Sequence, residues 1–309
     1  MTETGKRLLE SFPIRKSKEQ KASFREWLKK ELAQMGYAAR VEEYKGAVPS
    51  ANVIAGDISS AEVVVTAHYD TCAVMPFPNF ITPRTAWFFL LYQAMVAVIT
   101  AAIVVGLMLG AMALGLPRPV ALLVAYALLI FVIWWMLAGK ANRSNVNDNT
   151  SGVITLLELA ASLPEELRGR IAFVFFDNEE KGLLGSAAFY KAHRAEMANR
   201  LLLNFDCVGD GDHILFIPSR AMRKDGGTLD RLAAAFPSEG DKRVEMCREG
   251  FMANPSDQKH FPRGVGAIAC HDSKVLGPCL GRIHTGRDTV LMEENIRLLC
   301  RGVETLLCS

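Results

Sequence analysis

Seven acidic and histidine side chains, spread over five short segments, are of the types that hold a metal ion and move a proton. They are His68 and Asp70 in TAHYDT, Asp148 in NDNTSG, Glu179 and Glu180 in FFDNEEKG, Asp206 in NFDCVG, and His284 in HTGRDT. Imidazole nitrogens and carboxylate oxygens are ligands that zinc accepts in proteins. The five segments would have to meet for these side chains to form one site.

Each of these residues has an ordinary structural interpretation when it is taken alone. A histidine two residues before an aspartate, such as His68, is more often held inside the fold than bound to a metal. Adjacent glutamates usually face solvent. Asp206 could cap a helix, and His284 could bond to its own neighbours. The prediction of a metal site therefore rests on the whole set.

Adjacent glutamates gain separate roles in a site for two metal ions. Two zinc ions about 3.5–4 Å apart need a carboxylate that bridges them and can clamp a water as the nucleophile. One of Glu179 and Glu180 can then bind a metal while its neighbour takes the proton from that water. The set therefore favours metal-assisted hydrolysis.

Most of these residues come where a predicted strand ends. We predict strands over 37–44, 51–56, 61–70, 170–180, 200–209 and 264–270, and helices over 16–36, 151–163, 182–197 and 289–307. This alternation indicates an α/β fold with a mixed, mostly parallel central sheet and helices on both faces. Ligands gather at the carboxyl ends of strands in such a sheet, which is where His68, the glutamate pair and Asp206 fall.

A long apolar insertion separates His68 from Asp148. Residues 85–117 carry no charged side chain over 33 positions, and residues 119–139 carry none over 21. A helix needs about 20 residues to cross the hydrocarbon core of a bilayer, and GLPRP at 115–119 supplies a turn between the two runs. The pattern favours a transmembrane hairpin over a hairpin buried in a soluble core, because core helices rarely lack charges for so long.

The predicted organisation is one discontinuous catalytic domain, residues 1–84 and 141–309, with the hairpin over 85–140. Residues 85–139 would contact the lipid bilayer. Three basic residues flank the hairpin on the domain side and only one lies in its turn: Arg84, Lys140 and Arg143 against Arg118. The positive-inside rule therefore predicts a catalytic domain that faces the cytoplasm.

The remaining composition agrees with this location. The first 27 residues are polar and lack the apolar core of a secretory signal. A net charge of +2 gives no sign of a nucleic-acid partner. The seven cysteines are odd in number and form no CxxC pair, which fits free thiols in a reducing compartment and not a cysteine zinc site.

As a set, these segments resemble metallopeptidase family 28, the zinc exopeptidases that include bacterial di-zinc aminopeptidases, glutamate carboxypeptidase II and glutaminyl cyclases. The matching pieces are NVIAG at 52, TAHYDT at 66, NDNTSGV at 147, FVFFDNEEKGLLGS at 173, LLNFDCVG at 202, SDQKHF at 256 and IHTGRDT at 283. The resemblance covers about residues 50–300 apart from the hairpin. It implies the phosphorylase/hydrolase-like fold of those peptidases.

The resemblance also implies a role for each residue. His68 and Asp206 would hold one zinc, Glu180 and His284 the other, and Asp148 would bridge both, with a cis Asp148–Asn149 peptide. Glu179 would be the general base, and Asp70 would orient His68. Asp288 would support His284 in the same way.

Two positions depart from the family pattern. The family usually has glycine where Asn178 stands, and often histidine where Gln258 follows Asp257. Neither position is a metal ligand in the aminopeptidase pattern. We therefore expect the departures to affect the substrate and to leave metal binding intact.

The leading functional prediction is a membrane-anchored di-zinc aminopeptidase that acts on peptides. A glutaminyl cyclase with one zinc is an alternative, although NDNTSG favours the hydrolase. An amidase acting on N-acyl amino acids or lipopeptides is another, suggested by the hairpin. A scaffold without activity is disfavoured because every expected ligand is present. The hairpin would either fix the active-site mouth near the bilayer or serve only as an anchor.

Overall fold

The computed structural model describes residues 1–75, 79–249 and 256–309. Within these ranges the strands are β1 Ala39–Tyr44, β2 Ser50–Ala55, β3 Val63–His68, β4 Ile171–Phe176, β5 Leu201–Phe205, β6 His213–Pro218, β7 Arg243–Met246, β8 Gly264–Ser273 and β9 Gly277–Cys279. The helices are α1 Glu3–Ser11, α2 Lys18–Gln34, α3 Ala86–Ala113, α4 Arg118–Ala138, α5 Gly152–Ser162, α6 Leu184–Ala192, α7 Arg194–Met197, α8 Gly226–Ala235 and α9 Glu293–Cys308. All the described strands belong to one sheet.

The sheet is mixed, with a parallel centre. Its strand order is β1-β2-β4-β3-β5-β8-β6-β7, and β9 pairs with β8. The central strands β4, β3, β5 and β8 run parallel to one another, whereas β1, β2 and β6 join the sheet by antiparallel pairing. The predicted α/β class is therefore confirmed.

Both faces of the sheet are covered, as the sequence predicts. Alternate residues of β4 enter different cores: Phe173 and Phe175 pack with residues of α2, α5 and α9, whereas Val174 and Phe176 pack with Phe189 of α6. Successive side chains of a strand point to opposite faces. A strand buried on both faces reads as a continuous apolar run, which is what IAFVFF provides.

Several elements were not predicted. These elements are the helices α1 and α8 and the strands β6, β7 and β9. The run HILFIP of β6 is buried throughout and bonds to β8 on one side and β7 on the other. It follows a segment rich in glycine and aspartate without an intervening helix, so the alternation of strands and helices gave no signal for it.

The two apolar helices stand apart from the core. No residue of α3 is buried, and most of the large apolar side chains exposed in the described residues lie between Trp87 and Trp135. The helices contact each other and are long and apolar enough to cross a membrane, with mean hydropathies of 2.5 and 2.3. The alternative of a hairpin buried in a soluble core is therefore wrong.

The ends of the hairpin meet at its base. The amide of Val74 donates to Lys140 O at 2.9 Å, and the amide of Asn142 donates to Cys72 O at 3.1 Å. These bonds join the chain entering the hairpin to the chain leaving it. The base of the hairpin is thus closed by backbone hydrogen bonds between the segments on either side of it.

Because of this closure, a variant with a short Gly-Ser loop in place of residues 85–139 should fold and remain monodisperse without detergent. Changing the length of a closed loop alters its closure entropy only slightly, so the unfolding midpoint should move by less than about 4 °C. Circular dichroism melting and size-exclusion chromatography check this against full-length protein in detergent. Aggregation without a cooperative transition would show that the hairpin is needed for the fold.

Candidate metal centre

The sheet brings three of the five predicted segments to one edge. His68 ends β3, Asp206 directly follows β5, and Glu179 and Glu180 come shortly after β4. These three strands are adjacent and parallel, with β3 in the middle. Their carboxyl ends therefore meet, as is typical of ligand sites in α/β sheets.

Asp148 comes from an irregular helical turn, Val146–Ser151, that precedes α5. The Asp148–Asn149 peptide is cis, as the resemblance implies. The side chain of Asn149 donates to Phe205 O at 2.9 Å and accepts from the amide of Cys207 at 3.2 Å. These bonds fasten the turn to the end of β5, beside Asp206.

Asp148 lies between two groups of ligands. Its Oδ1 is 3.3 Å from His68 Nε2, and its Oδ2 is 3.0 Å from His284 Nε2. Asp206 Oδ1 is 3.6 Å from the same nitrogen of His68. Glu180 Oε2 is 3.3 Å from that of His284. The five predicted ligands thus form two groups that share one carboxylate.

The donor atoms of this cluster fit a metal such as zinc. Within the described residues, His68 Nε2, Asp206 Oδ1 and Glu180 Oε1 are buried without a hydrogen-bond partner. Buried polar atoms normally have partners, and here the unpartnered ones are nitrogen and oxygen atoms that zinc binds. A metal ion would complete their bonding.

Asp70 contacts His68 as well as the backbone of Glu179 and Glu180. Its two carboxylate oxygens accept the backbone amides of Glu179 at 3.0 Å and Glu180 at 3.3 Å. Its carbonyl lies 3.2 Å from His68 Nδ1, and its carboxylate lies 3.5 Å from the same atom. One residue therefore positions the segments that carry three of the site's side chains.

Burial and mutual repulsion raise the pKa values of the glutamates. Burial raises the pKa of Glu179 well above its ordinary value, and the charges of Glu180 and Asp206 raise it further, against the opposing charge of His68. Burial likewise raises the pKa of Glu180 to about 8. Burial would lower the pKa of His284, but Glu180 and Asp148 outweigh it and raise that pKa to about 9. The cluster therefore holds protons that a metal would displace.

Asp288 does not support His284 as predicted. Its carboxylate instead accepts the backbone amides of Asn147 at 2.7 Å and Asp148 at 3.0 Å, while His284 Nδ1 has no partner within the described residues. The predicted role came from the resemblance to the family, whereas here the carboxylate of Asp288 accepts from the turn that carries Asp148. Asp288 positions the shared carboxylate.

The two departures from the family pattern have structural explanations. Asn178 has φ = 54°, a left-handed conformation that glycine adopts freely and asparagine tolerates. Its side chain accepts from Lys21 at 2.8 Å and donates to Ser50 at 2.9 Å. Gln258 is buried and its side chain accepts from Asn204 at 3.2 Å. Both side chains therefore have polar partners in the fold.

The sequence analysis missed two contacts of the ligands. Ser256, in SDQKHF, donates to Asp206 Oδ2 at 2.5 Å. Cys72, directly after TAHYDT, offers a sulfur that groups with ligand atoms of Glu180 and His284, all within 4.8 Å of one another. Ser256 lies in one of the segments that carry the family resemblance, and Cys72 directly follows another. Neither side chain suggested a role when it was considered alone.

A cavity of about 300 Å³ opens beside the cluster. It is lined by Asn79, Ile81, Phe89, Gln93, Asp148, Glu179, Glu180, Asp206, Cys207, Ile268, Ile283 and His284. One wall is therefore the carboxylate and histidine cluster, and the opposite lining includes apolar side chains. A substrate in this cavity would meet both.

A protein-family model matches a large part of the chain. The model of peptidase family M28 matches residues 138–294, just over half of the 309-residue chain. A curated relative, the probable leucine aminopeptidase 2 of Aspergillus oryzae, is 29% identical over 154 residues. The match covers 48% of this chain but only 29% of that relative's length.

Solved structures share the fold at low identity. Glutaminyl cyclase from Porphyromonas gingivalis matches with a TM-score of 0.62 and 16% identity, covering 98% of this chain and 95% of its own. A Zn-dependent exopeptidase from Parabacteroides distasonis gives 0.60 and 16%, with 97% and 94% coverage. The LapA aminopeptidase of Legionella pneumophila gives 0.58 and 16%, with 98% and 69%. At these identities the likeness concerns the fold.

Metal-free protein should lose stability as the pH rises from about 6 to 9. The pKa of Glu180 rises from 4.5 to about 8 in the fold, and that of His284 from 6.5 to about 9. A raised pKa means that the folded form favours the protonated group, so this stabilisation is lost as the pH rises through the folded pKa. Thermal melting in chelator should show a falling midpoint.

Excess zinc should remove this fall, and at about 1,000 times the dissociation constant each bound ion should stabilise the fold by about 4 kcal/mol. Asp148→Asn is the matched variant, because it keeps the shape of the side chain and loses the charge that both groups share. It should show little gain with zinc. A midpoint in chelator that is flat or rises over this pH range would contradict the assignment.

Proposed function

The chain belongs to peptidase family M28, and we propose on this premise that it is a metallo-exopeptidase of the aminopeptidase type. The main support for the proposal is that two groups of potential ligands share the Asp148 carboxylate and that Glu179 lies beside them. In this proposal His68 and Asp206 hold one zinc ion and Glu180 and His284 hold a second. A family fold does not define a reaction, so the proposal rests on the side chains.

The chemistry that zinc supplies when bound is polarisation of the scissile carbonyl and a lower pKa for water. Glu179 accepts the proton of the attacking water and returns it to the leaving amine. Burial and the neighbouring carboxylates raise the pKa of Glu179, and a higher pKa makes a carboxylate a stronger base. Asp70 holds the backbone of Glu179 and so positions its carboxylate.

The lining of the cavity is compatible with a substrate that has a free amine. Asp148, Glu179, Glu180 and Asp206 belong to this lining, and Arg or Lys side chains are absent from it among the described residues. Two bound zinc ions would neutralise the charge of these carboxylates, so a free amine would be met by a hydrogen bond to Glu179 and not by a net negative wall. The free carboxylate of an N-acyl amino acid would find no cationic side chain in this lining, which makes the amidase the weaker candidate.

A single-zinc glutaminyl cyclase is the second candidate, because a protein of that name shares the fold over nearly its whole length. Both ligand groups are complete in this chain, which favours two ions and hydrolysis. Metal stoichiometry separates the two candidates. So does the product, since cyclisation of an N-terminal glutamine releases no amino acid.

We further propose that α3 and α4 anchor the enzyme in a membrane with the catalytic domain in the cytoplasm. The apolar exposed surface of the two helices has no covering within the described residues. Arg84, Lys140 and Arg143 at the base of the hairpin agree with this orientation.

Glu179→Gln should lower kcat for aminoacyl anilides by about 10²–10⁴-fold with unchanged zinc content, because the amide cannot take the proton. Glu196→Gln, on the surface of α7, is the control and should retain activity. Turnover on aminoacyl anilides, N-acyl amino acids and glutaminyl peptides is measured with zinc content by mass spectrometry. Loss of zinc in Glu179→Gln would make this residue a ligand, and cleavage of acylated substrates alone would support the amidase.

Thiol labelling tests the orientation. Cys308 is an exposed cysteine near the end of α9, and Leu114, 85% exposed, lies in the hairpin turn. A membrane-impermeant maleimide should label Leu114→Cys, in a Cys308→Ser background, in intact cells. It should label Cys308 of the unaltered chain only after the cells are opened. The opposite pattern would place the catalytic domain outside.

A further inference from the structure

The cavity beside the metal ligands has part of the apolar hairpin as its wall. Phe89 and Gln93 of α3 line it, four residues apart and thus on one face of the helix. Ile268 and Ile283 line it from the catalytic domain. A hairpin that served only as an anchor would not need to contribute to this cavity.

Gln93 is the one side-chain amide in α3. Polar side chains in membrane helices usually face a cavity or another helix, and Gln93 lies at the cavity. An amide there can donate to and accept from a peptide backbone. The position of the only amide therefore agrees with contact to a peptide in the cavity.

The opposite face of the same helical turns is exposed. Trp87 and Leu91 have exposed fractions of 64% and 58%. If α3 crosses the bilayer, these side chains face lipid, and the cavity lies within one helix diameter, about 10–12 Å, of the lipid. The second helix also reaches the cluster, since Met136 of α4 lines a smaller cavity that Glu180 and His284 share.

The cavity wall is fixed to the catalytic domain. Ile81 and Leu280 exchange two backbone hydrogen bonds of 3.1 and 2.8 Å. Thr85 Oγ1 donates to Leu276 O at 2.6 Å, just before α3 begins, and Arg84 pairs with Glu245 of β7. The first turns of α3 therefore keep their place beside the metal ligands.

We propose that Phe89 and Gln93 determine specificity, and that the site takes peptides with a large apolar first residue, presented at the bilayer surface. Phe89 packs on the apolar first side chain together with Ile268 and Ile283, and Gln93 bonds to the peptide backbone. The free amine lies beside Glu179, at the end of the cavity lined by the metal ligands. This inference rests on the proposed aminopeptidase function.

Single substitutions test the pocket. Phe89→Ala should lower kcat/KM for a leucine-first peptide by about 10- to 100-fold, since lost apolar contact in a specificity pocket has effects of this order, and should leave an alanine-first peptide nearly unchanged. Gln93→Leu should raise KM with little change in kcat. Leu91→Ala, in the same turn but on the opposite, exposed face of α3, is the matched control. Equal losses in Phe89→Ala and Leu91→Ala would overturn the assignment.

A binding measurement separates this inference from the proposed reaction. A fluorescent leucine-first peptide should bind to Glu179→Gln protein in nanodiscs, and about tenfold more weakly after Phe89→Ala is added. If wild-type protein cleaves no free-amine peptide but this difference is seen, the proposed reaction is wrong and the pocket assignment holds. Equal affinity in the two proteins overturns the pocket whatever the activity.

Lipid-anchored peptides test the presentation at the bilayer. Peptides with about three or about twelve residues between the leucine and a C-terminal lipid would reach at most about 10 or 40 Å from the membrane. The short peptide should be cleaved at least as fast as the long one in the same vesicles. Cleavage of the long peptide alone would place the active-site mouth far from the bilayer and overturn this part of the inference.

Discussion

The site depends on holding four carboxylates of like charge together in a buried cleft. Two such charges 4 Å apart repel by about 4 kcal/mol at the effective dielectric of a protein surface, and the imidazoles of His68 and His284 lie between them. Backbone amides donate to Asp70 and Asp288, which fixes the carboxylate segments before any ligand binds. Some ligand atoms remain buried without a hydrogen-bond partner, and the free energy lost by burying them would be offset by a bound metal.

The hairpin is compatible with this site because it is inserted at a point where the two flanking segments of the chain are bonded to each other. It lies between β3, which ends in His68, and the turn that carries Asp148. Backbone bonds across its base keep those two segments together. The first turns of α3 lie beside the cavity, and Phe89 and Gln93 belong to its lining.

The sequence was most informative where function constrains several segments at once. The central strands could be predicted from their apolar runs, and His68, the glutamate pair and Asp206 from the polar residues that end those runs. The ligand roles, and above all those of Asp148 and His284, came from the resemblance to the family, because neither residue follows a predicted strand. The partner of Asp288 could not be predicted, because that contact depends on how the turn at Asp148 folds. Strand β6 was missed because it joins the sheet by antiparallel pairing, without the preceding helix that marks the parallel strands.

Anomalous scattering at the zinc edge, from crystals of the detergent-purified protein, would locate the metal ions. We expect two peaks on opposite sides of the Asp148 carboxylate, one beside His68 and Asp206 and the other beside Glu180 and His284. A single peak, or peaks that do not involve Asp148, would contradict the paired site and favour the single-zinc alternative.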